Sequence, residues 1–253
     1  MPVLPGAEPI DLRAEGPVGV LISHGFTGCP QSVRGWAEHL HTEGGLSVRV
    51  PLLPGHGTRW QDMNATGWSD WYATIEAAYD ELRERCATVF VMGLSMGGTL
   101  ALRVAEQRSD VAGVVTVNAS LATDRKDAKL LPVAKLLVGA FPGIGSDIKK
   151  PGPVELAYPK LPLKAAHSFQ QAWPVVRGDL QRISCPVLAF RSAVDHVVPA
   201  VSGRLLLEGL AGKDVEERVL EDSYHVATLD NDAPRIFAES LEFVTAHAPA
   251  GRP

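Results

Sequence analysis

Ser95, Asp195 and His225 are far apart in the chain, yet their types and order suit attack on a carbonyl carbon. A serine hydroxyl is a weak nucleophile at neutral pH. It needs a base within hydrogen-bond reach and a third group to orient that base. Ser95 stands in Gly93-Leu-Ser-Met-Gly97, where an apolar β-branched run stops at a serine framed by glycines and then turns helical. The spacing predicts a tight strand-to-helix turn that raises the hydroxyl above the sheet edge in a strained backbone geometry. Gly93 and Gly97 fall where a Cβ would collide with the neighbouring strand or helix.

Asp195 lies in Ser192-Ala-Val-Asp-His-Val-Val-Pro199 and His225 in Ser223-Tyr-His-Val-Ala227. Each comes just past the carboxyl end of a predicted strand, the edge where parallel sheets bind ligands. His24, His56 and His196 also fall near strand ends. Only His225 follows the acid with a strand of its own, since the strand end beside His196 already supplies Asp195. Asp222 and Asp230 read as caps of turns and helices. The oxyanion formed on acyl attack needs two fixed N–H donors. One is expected from Met96, directly after the serine at a helix start, and the other from Phe26 in the His24-Gly-Phe loop. The plain alternatives are an incidental serine, a turn aspartate and an ordinary loop.

These residues need a sheet to hold them, and the hydrophobic periods supply one. Val18–Ile22, Leu46–Val50, Thr88–Met92, Val111–Val117, Val187–Arg191 and Glu216–Leu220 read as strands. Residues 1 to 16, rich in Pro and Gly, allow at most a short edge strand. Helices are predicted from Pro30 to about Glu43, over 68 to 85, from Thr99 to Gln107, from about Ala200 to Leu210 and from Ala233 to His247. Trp68, Trp71, Tyr72, Ile75, Tyr79 and Leu82 recur at helical spacing and read as core. Strand and helix alternate as in a mostly parallel sheet flanked by helices. The rhythm breaks from Leu121 to Trp173, where no strand is evident and prolines and glycines interrupt short apolar patches. The organisation read here is a core of residues 1–120 and 174–253 with a small helical cap over 121–173.

Composition narrows the partners. A net charge of −5 without a Lys/Arg cluster argues against a nucleic-acid surface and a polybasic membrane anchor. Cys29, Cys86 and Cys185 are too few and scattered for a disulfide framework or a metal site, and no cofactor is expected. No apolar stretch reaches the length of a membrane span, and Met1–Glu8 lacks a basic segment followed by an apolar run, so a cytoplasmic protein is expected.

Together, His24-Gly-Phe-Thr-Gly28, Pro54-Gly-His-Gly-Thr58, Gly93-Leu-Ser-Met-Gly-Gly98, Asp195-His-Val-Val-Pro199 and Ser223-Tyr-His-Val-Ala-Thr-Leu-Asp230 resemble the bacterial monoacylglycerol lipases and their carboxylesterase relatives. The chain order Ser, Asp, His is that of α/β-hydrolases. The resemblance implies the α/β-hydrolase fold, with hydrolysis of a fatty acyl ester of glycerol by Ser95, His225 and Asp195 beneath the cap. It also implies a glycerol contact at Glu155 and a place near the pocket for Ile144. Transient contact of the cap with a lipid surface fits such a substrate. Pro174 departs from the family and is expected to break a cap-exit helix. The rival readings are a carboxylesterase for other esters and a non-catalytic ligand receptor on the same scaffold. Turnover separates the receptor, and matched substrates separate the esterase.

Overall fold

Buried β-branched runs and amphipathic helices alternate along most of the chain. The computed structural model describes residues 2–249. In it β1 (Ile10–Leu12) and β2 (Val18–Ser23) lead through a 3₁₀ turn at Pro30–Val33 into α1 (Arg34–Thr42) and β3 (Ser47–Val50). The short α2 (Trp60–Met63) and the long α3 (Trp68–Arg83) precede β4 (Thr88–Leu94), α4 (Met96–Gln107) and β5 (Val111–Val117). An insertion follows with α5 (Leu131–Leu137), β6 (Ala140–Pro142) and β7 (Lys160–Pro162). The chain returns through α6 (Leu163–Asp179) to β8 (Val187–Ser192), α7 (Val201–Gly209), β9 (Val215–Leu220) and α8 (Ala233–His247).

The main sheet has the order β1-β3-β2-β4-β5-β8-β9, with β1 antiparallel to β3 and every other pairing parallel. Successive side chains alternate between two cores. Leu21, Val91 and Ala189 point to the face covered by Trp71, Ile75 and Tyr79 of α3 and by Leu100 of α4. Ile22, Phe90, Met92 and Phe190 point to the face covered by Trp36 and Leu40 of α1 and by Ile236 of α8. Each fully buried large side chain contributes roughly 1.5–3 kcal/mol, and burial on both faces makes this sheet a rigid base for the loops at its edge. Strand order reverses between β2 and β4, so the loops after these two strands flank the crevice where such sheets bind ligands.

The insertion corrects three expectations. It contains strands after all, since β6 and β7 pair antiparallel with Phe141 opposite Leu161. Each spans three residues and ends in proline, too short and too poor in donors to show as a period-two run. Pro132, read as an interruption, sits in the first turn of α5, where its missing N–H has no helical partner to lose. Pro174 does not break its helix, because α6 runs through it. An interior proline costs about 3 kcal/mol. Phe169, Ala172 and Val176 are buried on both sides of it and hold the helix together. The expected boundary between residues 173 and 174 thus falls inside α6, which starts in the insertion and ends in the core.

Candidate active site

The elbow is built by close approach. An ideal Cβ on Gly93 would stand 2.1 Å from the carbonyl carbon of Gly97, and one on Gly97 would stand 2.1 Å from the carbonyl oxygen of Ser23. Only glycine lets β4, α4 and β2 meet at these points. Ser95 between them has φ 56° and ψ −117°, a strained conformation for a residue with a side chain, and its N–H donates to the Val117 carbonyl at 2.8 Å. The helix begins at Met96, earlier than its apolar period shows, because Gly97 and Gly98 fill its first turn. The Met96 N–H is therefore one of the first-turn donors without an intrahelical acceptor.

Asp195 and His225, 30 residues apart, meet where the loops after β8 and β9 converge. The His225 Nδ1–H donates to Asp195 Oδ2 at 2.7 Å. Asp195 Oδ1 accepts the N–H groups of Val197 and Val198 at 2.8 and 2.7 Å. Burial opposes charge on Asp195, but His225 and these two donors outweigh it and hold the carboxyl below its usual value. Burial likewise disfavours the His225 imidazolium. Asp195 above all, with Glu155 and Asp147, outweighs it and raises the ring above the ordinary imidazole value. This geometry leaves Nε2 of His225 as the acceptor.

The other strand-end histidines have structural partners. His24 is fully buried, with Nδ1–H donating to the Gly25 carbonyl at 3.0 Å and Nε2 accepting the Leu53 N–H at 3.2 Å. It thereby fastens the loop that carries Phe26. A Cβ on Gly25 would lie 3.4 Å from Ser95 Cβ, so this loop passes directly over the elbow. Burial lowers His24 to about 4 and His56 to about 3, and both stay neutral. His196 pairs with Asp147 of the insertion, its Nδ1–H donating at 2.8 Å.

Ser95, His225, Phe26, Glu155 and Ile144 line one cavity of about 310 Å³, roofed by the insertion. Ile144 is half exposed at its mouth. Glu155 is part-buried and lines the cavity. Burial pushes it up to about 7, with His225 opposing the shift. Its segment is stitched to the core: Leu156 N–H donates to Gln31 Oε1 at 3.0 Å, and Tyr158 N–H to the Thr27 carbonyl at 3.1 Å.

The sequence profile of the alpha/beta hydrolase family matches residues 20–242. The chain belongs to this family. It is 43% identical over 251 residues to a thermostable monoacylglycerol lipase of Bacillus sp. (strain H-257), covering 98% of both chains. A carboxylesterase of Bacillus subtilis (strain 168) is 25% identical over 235 residues, 90% of this chain and 93% of that one. A solved structure from work on LipS and LipT, two metagenome-derived lipolytic enzymes, superposes with a TM-score of 0.93 at 44% identity, covering 97% of this chain and all of that one.

Three residues of this hydrolase-family site carry contacts that the sequence reading did not assign. Asp147 accepts the His225 N–H and the His196 N–H, each at 3.2 Å. Asp230, expected as a cap, is buried and accepts the N–H groups of Tyr224, Lys149 and Lys150. Asn118 follows the last residue of β5 and reaches both the β8 end and His225. A polar residue at the carboxyl end of an apolar strand was the available signal for Asn118. Asp147 and Asp230 had none, because their partners lie on distant segments.

Proposed function

We propose that the protein is a serine ester hydrolase that splits monoacylglycerol into a fatty acid and glycerol through an acyl-enzyme on Ser95. The observation that carries this reading is the convergence of Ser95, His225 and Glu155 on one cavity, with Asp195 bound at 2.7 Å to the far nitrogen of His225. The identity of 43% to a monoacylglycerol lipase supports the substrate.

Ser95 Oγ attacks the ester carbon while His225 Nε2 takes its proton, and Asp195 orients the ring and stabilises the imidazolium. The N–H groups of Met96 and Phe26 receive the oxyanion, with the amino end of α4 adding its dipole. His225 then protonates the departing glycerol oxygen. Water enters, gives its proton to His225 and attacks the acyl carbon, and collapse of the second oxyanion releases the acid and restores Ser95. The Glu155 carboxylate accepts hydrogen bonds from the free glycerol hydroxyls.

The insertion over 121–173 serves as the cap. Its α5 buries none of its residues, and Leu136 and Leu137 are 77% and 78% exposed, which suits transient contact with a lipid surface. No helix among the described residues is long and apolar enough to cross a membrane. Three free cysteines suit a reducing compartment such as the cytoplasm.

The test is a hydrolysis panel of monoacylglycerols and methyl esters with matched acyl chains. Higher kcat/KM for the glycerides supports the reading. Equal values across the panel identify a general carboxylesterase, and absence of turnover on all of them removes the enzyme reading.

A further inference from the structure

Asn118 stands between the three loops that carry Ser95, Asp195 and His225. It is 4% exposed and has φ +50°, a left-handed conformation that asparagine tolerates better than other residues with side chains. The Val117 carbonyl before it accepts the Ser95 N–H at 2.8 Å, and its own N–H donates to the Phe190 carbonyl at 2.9 Å. Its side-chain amide reaches across to the other two loops. Oδ1 accepts the Ser192 N–H at 2.8 Å, three residues before Asp195. Nδ2 donates to the His225 carbonyl at 2.8 Å and to Ser192 Oγ at 3.0 Å. Ser192 Oγ in turn donates to the Tyr224 carbonyl at 2.8 Å. The amide orientation follows from chemistry, since the flipped form would set an oxygen against the His225 carbonyl.

We infer that Asn118 is a positioning residue: its amide holds the His225 carbonyl and the Ser192 backbone, and so fixes the imidazole between Asp195 and Ser95. The inference rests on the triad reading above. Asp147 holds the His225 N–H at 3.2 Å, so both peptide groups of His225 are clamped while Asp195 holds its ring at 2.7 Å. Asn118 acts away from substrate. It borders a second cavity of about 100 Å³ that Ser192 and Asp195 also line, whereas Ser95 and Glu155 line the substrate cavity. Its loss therefore falls on the chemical step and spares binding.

Asn118→Gly removes the amide while keeping a residue at ease at positive φ. The probes are p-nitrophenyl butyrate for turnover and a fluorophosphonate, whose phosphorus bonds Ser95 Oγ as fluoride leaves and His225 takes the proton. The expected result is a kcat lower by about ten- to a hundredfold with KM within about threefold, as for a base misplaced by a fraction of an ångström. The labelling rate falls by the same factor. The acid-side midpoint of kcat/KM moves down, because a looser contact with Asp195 withdraws part of what holds the imidazolium, while Glu155 and Asp147 still face the ring. A kcat within about threefold of the parent, a loss confined to KM, or a kcat loss with unmoved midpoint and labelling rate would overturn the inference. If the glycine variant lacks native near-ultraviolet circular dichroism, the isosteric Asn118→Asp decides. It keeps the acceptor for Ser192 but presents oxygen to the His225 carbonyl, so its labelling must slow equally, and parent-like labelling overturns the inference. Failure of the parent itself to be labelled at Ser95 would mark failure of the triad reading.

Discussion

An ideal Cβ on Gly28 would stand 2.7 Å from Glu155 Oε1, so the glycine after the Phe26 loop makes the space that Glu155 occupies. The clash is with the tip of a flexible side chain. Gly28→Ala should therefore fold and displace the carboxylate. It should lower kcat/KM on monoacylglycerol by about ten- to a hundredfold, the value of one hydrogen bond to a charged group, and leave methyl ester hydrolysis within a few-fold. Equal loss on both substrates would show that the displaced group is structural.

Glu155 also gives the site a pH signature. Its folded value of about 7 lies above the ordinary carboxylate value of 4.5. The folded state thus binds the extra proton between these limits, and stability falls as pH rises through that window. Glu155→Gln should remove this loss and gain up to about 3 kcal/mol at pH 8 and nothing at pH 4, read as denaturant midpoints. In the parent, the preference for monoacylglycerol over methyl ester should rise with pH through about 7, and it should be flat in the variant. A preference independent of pH in the parent would remove the carboxylate from substrate recognition.

Ser95→Ala and His225→Ala should each lower kcat by roughly a million-fold, because members of such a unit fail together. Asp195→Asn should lose less. A folded Ser95→Ala protein with more than a few per cent of parent turnover would exclude Ser95 as nucleophile.

Hydrogen exchange should divide the cap. Lys149 and Lys150 donate their N–H groups to buried Asp230, and Val226 N–H donates to the Asp147 carbonyl, so residues 146–150 should exchange slowly. Residues 131–137 bury no side chain and should exchange fast. Uniform protection across the cap would contradict this division.

The elbow glycines should differ in tolerance. Gly93→Ala and Gly97→Ala place a Cβ 2.1 Å from backbone and should abolish folding or activity. Gly98→Ala meets the Ala119 Cβ at 3.0 Å and the Gly93 carbonyl oxygen at 3.1 Å, contacts that shifts of a few tenths of an ångström relieve. It should keep most activity in the same assay, and expression of soluble, active Gly97→Ala protein would refute the packing argument.

Local patterns in the chain decided the strand and helix order, the glycine-framed turn and the succession Ser95, Asp195, His225. Each is set by short-range sterics or by a hydrophobic period that recurs every two or 3.6 residues. Contacts between distant segments carry no such period, and only the tertiary structure decided them. It gave Asp195 to His225 and His196 to Asp147, though Asp195 and His196 are adjacent. It brought Asp147 to His225 across 78 residues and Asn118 to the same histidine across 107. It carried α6 through Pro174, because burial of Phe169 and Val176 on either side outweighs one lost backbone hydrogen bond.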